Sequence, residues 1–304
     1  MYHYVRKFNS MYPNFRYLDF DQFIKQLDYF EKNFGFVSLD EWSAFIESGD
    51  LPKKSGKIVL TFDDALVCQY EFVYPELLKR NLWGIFYIPV SPYVSKEILD
   101  VHKIHLLCGR NDGVELLNHI NSLIYEDMIP DEKRKEFRER TYSKQSNFEG
   151  VTEFKRILNY FIDYKYRKEI INSIAKEFEQ DFSFSNFYID KDKINKMKSN
   201  GMIIGSHTMD HQVMSKLSYE DQLFQIKESF RYLTSEFKIQ NKTYSHPYGG
   251  FHSFDKNTLD ILRKEKVTYS FNVESREITG EDYIASMNHL PRFDCNEFPF
   301  GTVS

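Results

Sequence analysis

Lys57-Ile58-Val59-Leu60-Thr61-Phe62-Asp63-Asp64 is a compact apolar run of strand length that ends in two adjacent carboxylates. Gly56 breaks the pattern before it, a helical stretch around Tyr74 to Arg80 follows, and a second strand-like run spans Trp83 to Val90. The segment therefore reads as strand, helix, strand. The same alternation returns later. A helix is expected from Lys191 to Ser199, a strand at Met202 to Ser206, and a long helix started by Ser218-Tyr219-Glu220-Asp221. Next come a strand near Thr243 to Ser245, a helix from about Asp255 to Lys264, a strand at Val267 to Val273 and an extended piece around His289 to Phe293. Repeated strand-then-helix units predict an α/β fold with a parallel sheet and helices outside, and right-handed crossovers curl such a sheet toward a barrel.

Upstream, Phe20, Phe23, Ile24, Leu27, Phe30 and Phe34 fall at helical spacing. Ser38-Leu39-Asp40-Glu41 is a capping-box pattern ahead of Trp42, Phe45 and Ile46. Between about Ser91 and Lys191 the chain turns charged and helix-favouring, with little β signal. We expect one domain over 1–304 with a helical insertion at 91–191. No internal repeat, low-complexity tract or Pro/Gly/Ser-rich linker is evident.

The chain has 304 residues, 41% hydrophobic and 28% charged, with a formal net charge of −5. That balance excludes a membrane-embedded protein and lacks the signature of disorder. It also provides no basic field to gather nucleic acid. Aromatics reach 17%, a hint of stacking surfaces. Cys68, Cys108 and Cys295 are odd in number and far apart, against a disulfide framework. With no transmembrane span and no apolar signal segment after Met1, a cytoplasmic location is expected.

In α/β architectures reactive groups gather where strands end. Asp63 and Asp64 follow a buried run, where desolvation and like-charge repulsion ask for a cation or a partner. Read alone, the plainer account is that one aspartate caps the next helix and the other is solvated. After Ile203-Ile204-Gly205-Ser206 come His207 and His211, which share one face if the segment turns helically. Thr208 stands where zinc-protease helices carry their basic glutamate, so a base must come from elsewhere. Adding Asp64 gives a two-histidine, one-carboxylate set with open positions, the composition of a catalytic zinc or related divalent site. Ser245-His246-Pro247-Tyr248-Gly249-Gly250 is a sharp loop whose backbone N–H groups could meet a developing oxyanion, with Tyr248 as wall or donor. By itself it is only a turn. Tyr2-His3-Tyr4 adds an isolated histidine, and His102 and His105 in the insertion read as core or surface residues rather than ligands.

Taken together these pieces resemble the NodB-type polysaccharide deacetylases of carbohydrate esterase family 4. Thr61-Phe62-Asp63-Asp64-Ala65 is similar to that family's TFDDG motif, with Ala65 in place of glycine. His207-Thr208-Met209-Asp210-His211 matches H-[ST]-x-x-H, and Ser245-His246-Pro247-Tyr248-Gly249 resembles RxPYG with Ser245 for the arginine. The resemblance covers about 55–90 and 190–295 plus the N-terminal segment. It implies a distorted (β/α)7 barrel in which Asp63 is the general base. Asp64, His207 and His211 would bind a divalent metal, usually zinc, and the main-chain N–H of Tyr248 would help hold the oxyanion. The family's L-x-H acid is missing from its usual place. Circularly permuted members bring that histidine from the first strand in a YH segment, which points to His3, with His289 competing. Arg292 would take part of the fourth motif's role. The implied activity is removal of an N-acetyl group from an amino sugar in a polysaccharide or its precursor. A decayed carbohydrate-binding scaffold and an amidase on a non-sugar amide are the alternatives. The oligomeric state is left open.

Overall fold

The computed structural model describes residues 1–142 and 147–303. Its chain divides into two compact units, one formed by 1–7, 17–94 and 185 onward, the other by 8–16 and 95–184.

In the first unit two short strands, β1 (Val5–Arg6) and β2 (Leu18–Asp19), pair in parallel and lead into the helix Phe20–Asn33. A five-stranded parallel sheet follows in the order β3 (Thr61–Phe62), β4 (Ile85–Ile88), β5 (Ile203–Ser206), β6 (Thr243–Ser245) and β7 (Tyr269–Phe271). Single bridges extend it at both edges, Tyr2 beside Phe62 and Leu290 beside Phe271, both parallel. The Met1 nitrogen donates to the Phe293 carbonyl at 2.7 Å and the Cys295 N–H donates to the Met1 carbonyl at 3.2 Å. Seven chain segments thus close into a ring. Five are regular strands and two contribute little more than a bridge, which is the physical content of the distorted (β/α)7 barrel implied by the motifs.

The strands read as continuous apolar runs because both faces are covered. All four residues of β4 are buried. At Gly205 of β5 a Cβ would stand 2.5 Å from the Tyr87 ring, so glycine is what lets that ring cross the barrel interior and bond to Thr243 Oγ1 at 2.8 Å. The helix Leu39–Ser48, started by the expected Ser38/Glu41 capping box, plugs the same interior. Its Trp42 stacks on Phe271 and donates from Nε1 to the Tyr269 hydroxyl at 3.2 Å.

The run at Lys57 to Phe62 is only partly regular strand. Ile58 bridges to Phe36 instead, its N–H donating to the Gly35 carbonyl and its own carbonyl accepting from Val37, so the apolar run serves two partners in succession. Helices Lys191–Ser199 and Tyr219–Phe237 begin at Asp190 and Ser218, whose side chains accept backbone N–H bonds three residues on.

The second unit is helical: Asp100–Arg110, Gly113–Leu123, Asp131–Arg138, Val151–Arg156 and Tyr164–Glu177, with residues 143–146 outside the described part. Leu107, Leu116, Ile120, Phe154 and Ile171 form buried contacts of its core. Segment 8–16 joins it through the Asn14 N–H, which donates to the Gly109 carbonyl at 2.9 Å. His102 is buried here, and no cluster of three metal-ligating side chains occurs in this unit among the described residues. The three cysteines are free and buried, and no helix among the described residues is long and apolar enough to cross a membrane.

Candidate active site

The end of β3 turns abruptly. Asp64 at φ +79° and Ala65 at φ +52° are consecutive left-handed residues, a conformation that favours residues without a Cβ. Ala65 thus occupies a position whose backbone explains why the similar motif ends in glycine. Gln69, fully buried, staples this turn: its Nε2 donates to the Asp63 carbonyl at 2.5 Å and to the His3 carbonyl at 3.0 Å. The N-terminal segment is held beside Asp63 in this way.

The histidine pair does not lie on a helical turn. Thr208 at φ +68° and His211 at φ +52° put the segment in a loop. The reason is local: Ser206 Oγ accepts the Thr208 N–H at 3.2 Å and Thr208 Oγ1 accepts the His211 N–H at 2.9 Å, bonds that compete with helix formation. Gln225, from the helix Tyr219–Phe237, locks the loop by accepting from the Asp210 N–H at 2.8 Å and donating to Asp210 Oδ2 at 2.6 Å. The two imidazoles still meet, with ring centroids 4.6 Å apart.

Asp64, His207 and His211 are all buried, and one donor atom from each lies within 4.8 Å of the others. Asp64 Oδ1 is 3.6 Å from His207 Nε2 and 3.5 Å from His211 Nε2. Those separations are too long for good hydrogen bonds, yet ligands held at about 2.0–2.2 Å by a tetrahedral ion stand roughly 3.3–3.6 Å apart. The donor set fits a divalent cation. His207 Nδ1 lies 2.8 Å from the Ser245 carbonyl oxygen, which can only accept, so Nδ1 carries the proton and the Nε2 lone pair faces Asp64. Burial lowers the pKa of His207 although Asp63 and Asp64 pull the other way, and a neutral imidazole is the ligating form.

Asp63 stands beside this set, its Oδ2 4.0 Å from His207 Nε2. It is 1% exposed. Burial would raise its carboxyl pKa, but the Arg292 charge, then His207, then the Arg292 hydrogen bonds outweigh it and hold the group well below the usual carboxylate range. Arg292 Nη1 and Nη2 donate to Asp63 Oδ1 and Oδ2 at 3.0 and 2.5 Å, and Nη2 also donates to Ser245 Oγ at 2.7 Å. The guanidinium missing at Ser245 is thus supplied by Arg292 from the last segment of the ring, bonded to Ser245 itself.

His3 presents Nε2 at 4.0 Å from Asp63 Oδ2, with 39% of its side chain exposed. The His289 ring lies 6.1 Å from that of Phe251. Tyr248, at φ +62° before Gly249 at φ +77°, packs edge-on against His211 at 4.9 Å. The structure therefore gathers Asp63, Asp64, His207, His211, Tyr248 and His3, and shows His289 against Phe251. Sequence reading missed Gln69 and Gln225. Their signal, an uncharged polar residue on an otherwise buried face, is visible only after the packing is known.

A sequence model of the polysaccharide deacetylase family matches residues 170–270, which include the histidine loop and Tyr248. No curated protein matches the sequence. Among solved structures, the chain is similar to the Streptococcus pyogenes deacetylase PplD, solved in complex with acetate, at 14% identity and TM-score 0.58, covering 96% of this chain and 88% of that one. It is similar to a de-N-acetylase from Aggregatibacter actinomycetemcomitans at 14% identity and TM-score 0.51, covering 96% and 92%. The BpsB deacetylase domain from Bordetella bronchiseptica follows at 11% identity and TM-score 0.52, covering 89% and 83%. The family match and the shared fold agree with the NodB-type resemblance carried by the motifs.

Proposed function

We propose that this chain, whose motifs and fold are those of the NodB-type polysaccharide deacetylases, removes N-acetyl groups from amino sugars in a polysaccharide or its precursor, using one divalent cation held by Asp64, His207 and His211. The observation that carries this reading is the buried three-donor cluster with an ionised carboxylate and a partly exposed imidazole beside it. A bound divalent ion, for which zinc suits two imidazoles and a carboxylate, would polarise the acetyl carbonyl and lower the pKa of water toward neutrality.

The chain's own groups supply the rest. Asp63, kept ionised by Arg292, accepts the proton of the attacking water. The Tyr248 N–H, on a loop opened by two left-handed residues, stabilises the oxyanion. His3, reachable from solvent, protonates the departing amine, a transfer of the kind worth about 10²–10⁴ in rate. Acetate and a free amine result. Two of the departures from the family motifs, Ala65 and Ser245, are absorbed by a tolerated backbone angle and by Arg292, which weighs against a decayed carbohydrate-binding scaffold.

The test is acetate release from N-acetylhexosamine oligomers. Wild type is expected to release acetate, and Asp63→Asn and His207→Ala are each expected to lose at least a hundredfold. Full activity in both variants would remove the proposed roles. Release from a simple non-sugar amide but from no N-acetylhexosamine would move the activity to the amidase alternative.

A further inference from the structure

His3 lies between two different backbone pairings. Tyr2 bridges to Phe62, its N–H donating to the Thr61 carbonyl at 2.9 Å and its carbonyl accepting from the Asp63 N–H at 3.0 Å. Tyr4 serves the other pairing: its carbonyl accepts from the Leu18 N–H at 2.9 Å, one residue ahead of β1. The backbone bends at His3 between them, and the His3 carbonyl accepts its bond from a side chain, Gln69 Nε2, at 3.0 Å.

Gln69 is placed for that task. It opens a five-residue π turn, Gln69–Val73, closed by the Tyr74 N–H on the Gln69 carbonyl and packed against β1; such wide turns are frequent beside functional sites. The side chain is fully buried. Its Nε2 donates to the carbonyl oxygens of both His3 and Asp63, which can only accept, so the amide has one possible orientation. Its Oε1 is left buried without a partner, a state that costs stability. A carboxamide used twice at its donor end and not at all at its acceptor end is there for the two carbonyls. Those carbonyls belong to the residues that take and give the proton in the reaction proposed above.

We propose that Gln69 is a positioning residue that holds the acid in register with the base, and that its effect on acetate release runs through His3. The inference rests on the deacetylase reading with His3 as the acid. Loss of the donor lets the bend at His3 relax and carries the imidazole away from the departing nitrogen. The histidine loop keeps its own supports from Ser206, Thr208 and Gln225.

The experiment uses the full chain with zinc supplied, as wild type, Gln69→Glu and Gln69→Met. Glutamate keeps the shape but sets an oxygen against two carbonyl oxygens, and methionine offers no donor. Two substrates are compared: an N-acetylhexosamine oligomer, whose amine must gain a proton to leave, and 4-nitrophenyl acetate, whose phenolate leaves without one. The ratio of amide to ester rates is expected to fall at least about tenfold in either folded variant. It should fall less than about threefold when Gln69→Glu is added to His3→Gln, because residues acting through one another are not additive. Amide hydrogen exchange, which needs no activity, should quicken at least about tenfold across residues 2–6 and stay unchanged in β4 and β5. An unchanged ratio, an equal fall in both backgrounds or unaltered exchange at 2–6 overturns the proposal. Failure of both variants to fold also overturns it, since Gln69 would then support the whole ring rather than the acid. Wild type that releases no acetate from the oligomer, or a ratio unmoved by His3→Gln, overturns the deacetylase reading and this inference together, and is told apart because it appears before Gln69 is changed.

Discussion

Asp63 is a charged carboxylate almost without access to water, and the pair of hydrogen bonds donated by Arg292 is what makes that tolerable. Removing one partner of such a buried pair typically costs about 3–5 kcal/mol. Arg292→Met is therefore expected to lower stability by that order in urea melts and to cut acetate release sharply. Arg292→Lys, which keeps the charge but not the fork, should recover part of the stability and less of the activity. Equal stability of all three proteins would show that the pair carries no weight. Around the acid the contrast is between two histidines. His3→Gln should lower acetate release about 10²–10⁴-fold with an unchanged melting temperature, and His289→Gln should stay within a few-fold of wild type; the reverse ranking would assign the acid to His289. His246 is expected to contribute to the loss of stability in acid. Burial pushes its imidazole down to about 3, against a pull upward from its bond to the Asn288 carbonyl. The unfolded chain takes up that proton near pH 6.5 and the folded chain does not until about pH 3. Between these values the unfolded state binds more protons, so stability rises with pH there and is lost as pH falls from 6.5. The melting temperature should drop between pH 7 and 4, less steeply in His246→Gln. An identical slope in both would place the proton uptake elsewhere.

At the scale of elements, what could be read from the sequence was set by local chemistry. The Ser38/Glu41 box, the helix start at Ser218 and the apolar run within Trp83 to Val90 act within a few residues of themselves, and each forms where expected. The histidine loop does not take the helical turn that would by itself put both rings on one face, because its shape depends on Ser206 and Thr208 side chains capturing nearby N–H groups. Arg292 reaches Asp63 across 229 positions of sequence, and no periodicity reports such a pairing. The cluster of Asp64, His207 and His211 was legible because its members follow strand ends, and parallel strands bring their ends to one edge. Ala65 gives this scale its own prediction. An alanine at φ +52° carries about 1 kcal/mol of backbone cost that glycine avoids, offset in part by glycine's greater freedom in the unfolded chain. Ala65→Gly should hold or raise the melting temperature by a degree or two, and a clear drop would show that the buried methyl matters more than the strain.

For the whole molecule, the ring of seven segments explains why the chemistry is assembled from so many places. Asp63 and Asp64 leave β3, the histidines leave β5, Tyr248 leaves β6, His3 comes from the first segment and Arg292 from the last. Apart from the Asp63-Asp64 and His207/His211 pairs the groups are far apart in sequence, so the site exists only when the ring is closed. The closure itself rests on the bonds between Met1 and the 293–295 stretch. The measurement that bears most directly on this account is divalent-ion content set against acetate release, for wild type before and after chelation and for His207→Ala. The account predicts about one ion per wild-type chain, acetate release lost on stripping and restored on adding the ion back, and neither ion nor release in the variant. Stripped protein that still releases acetate at the full rate would contradict it.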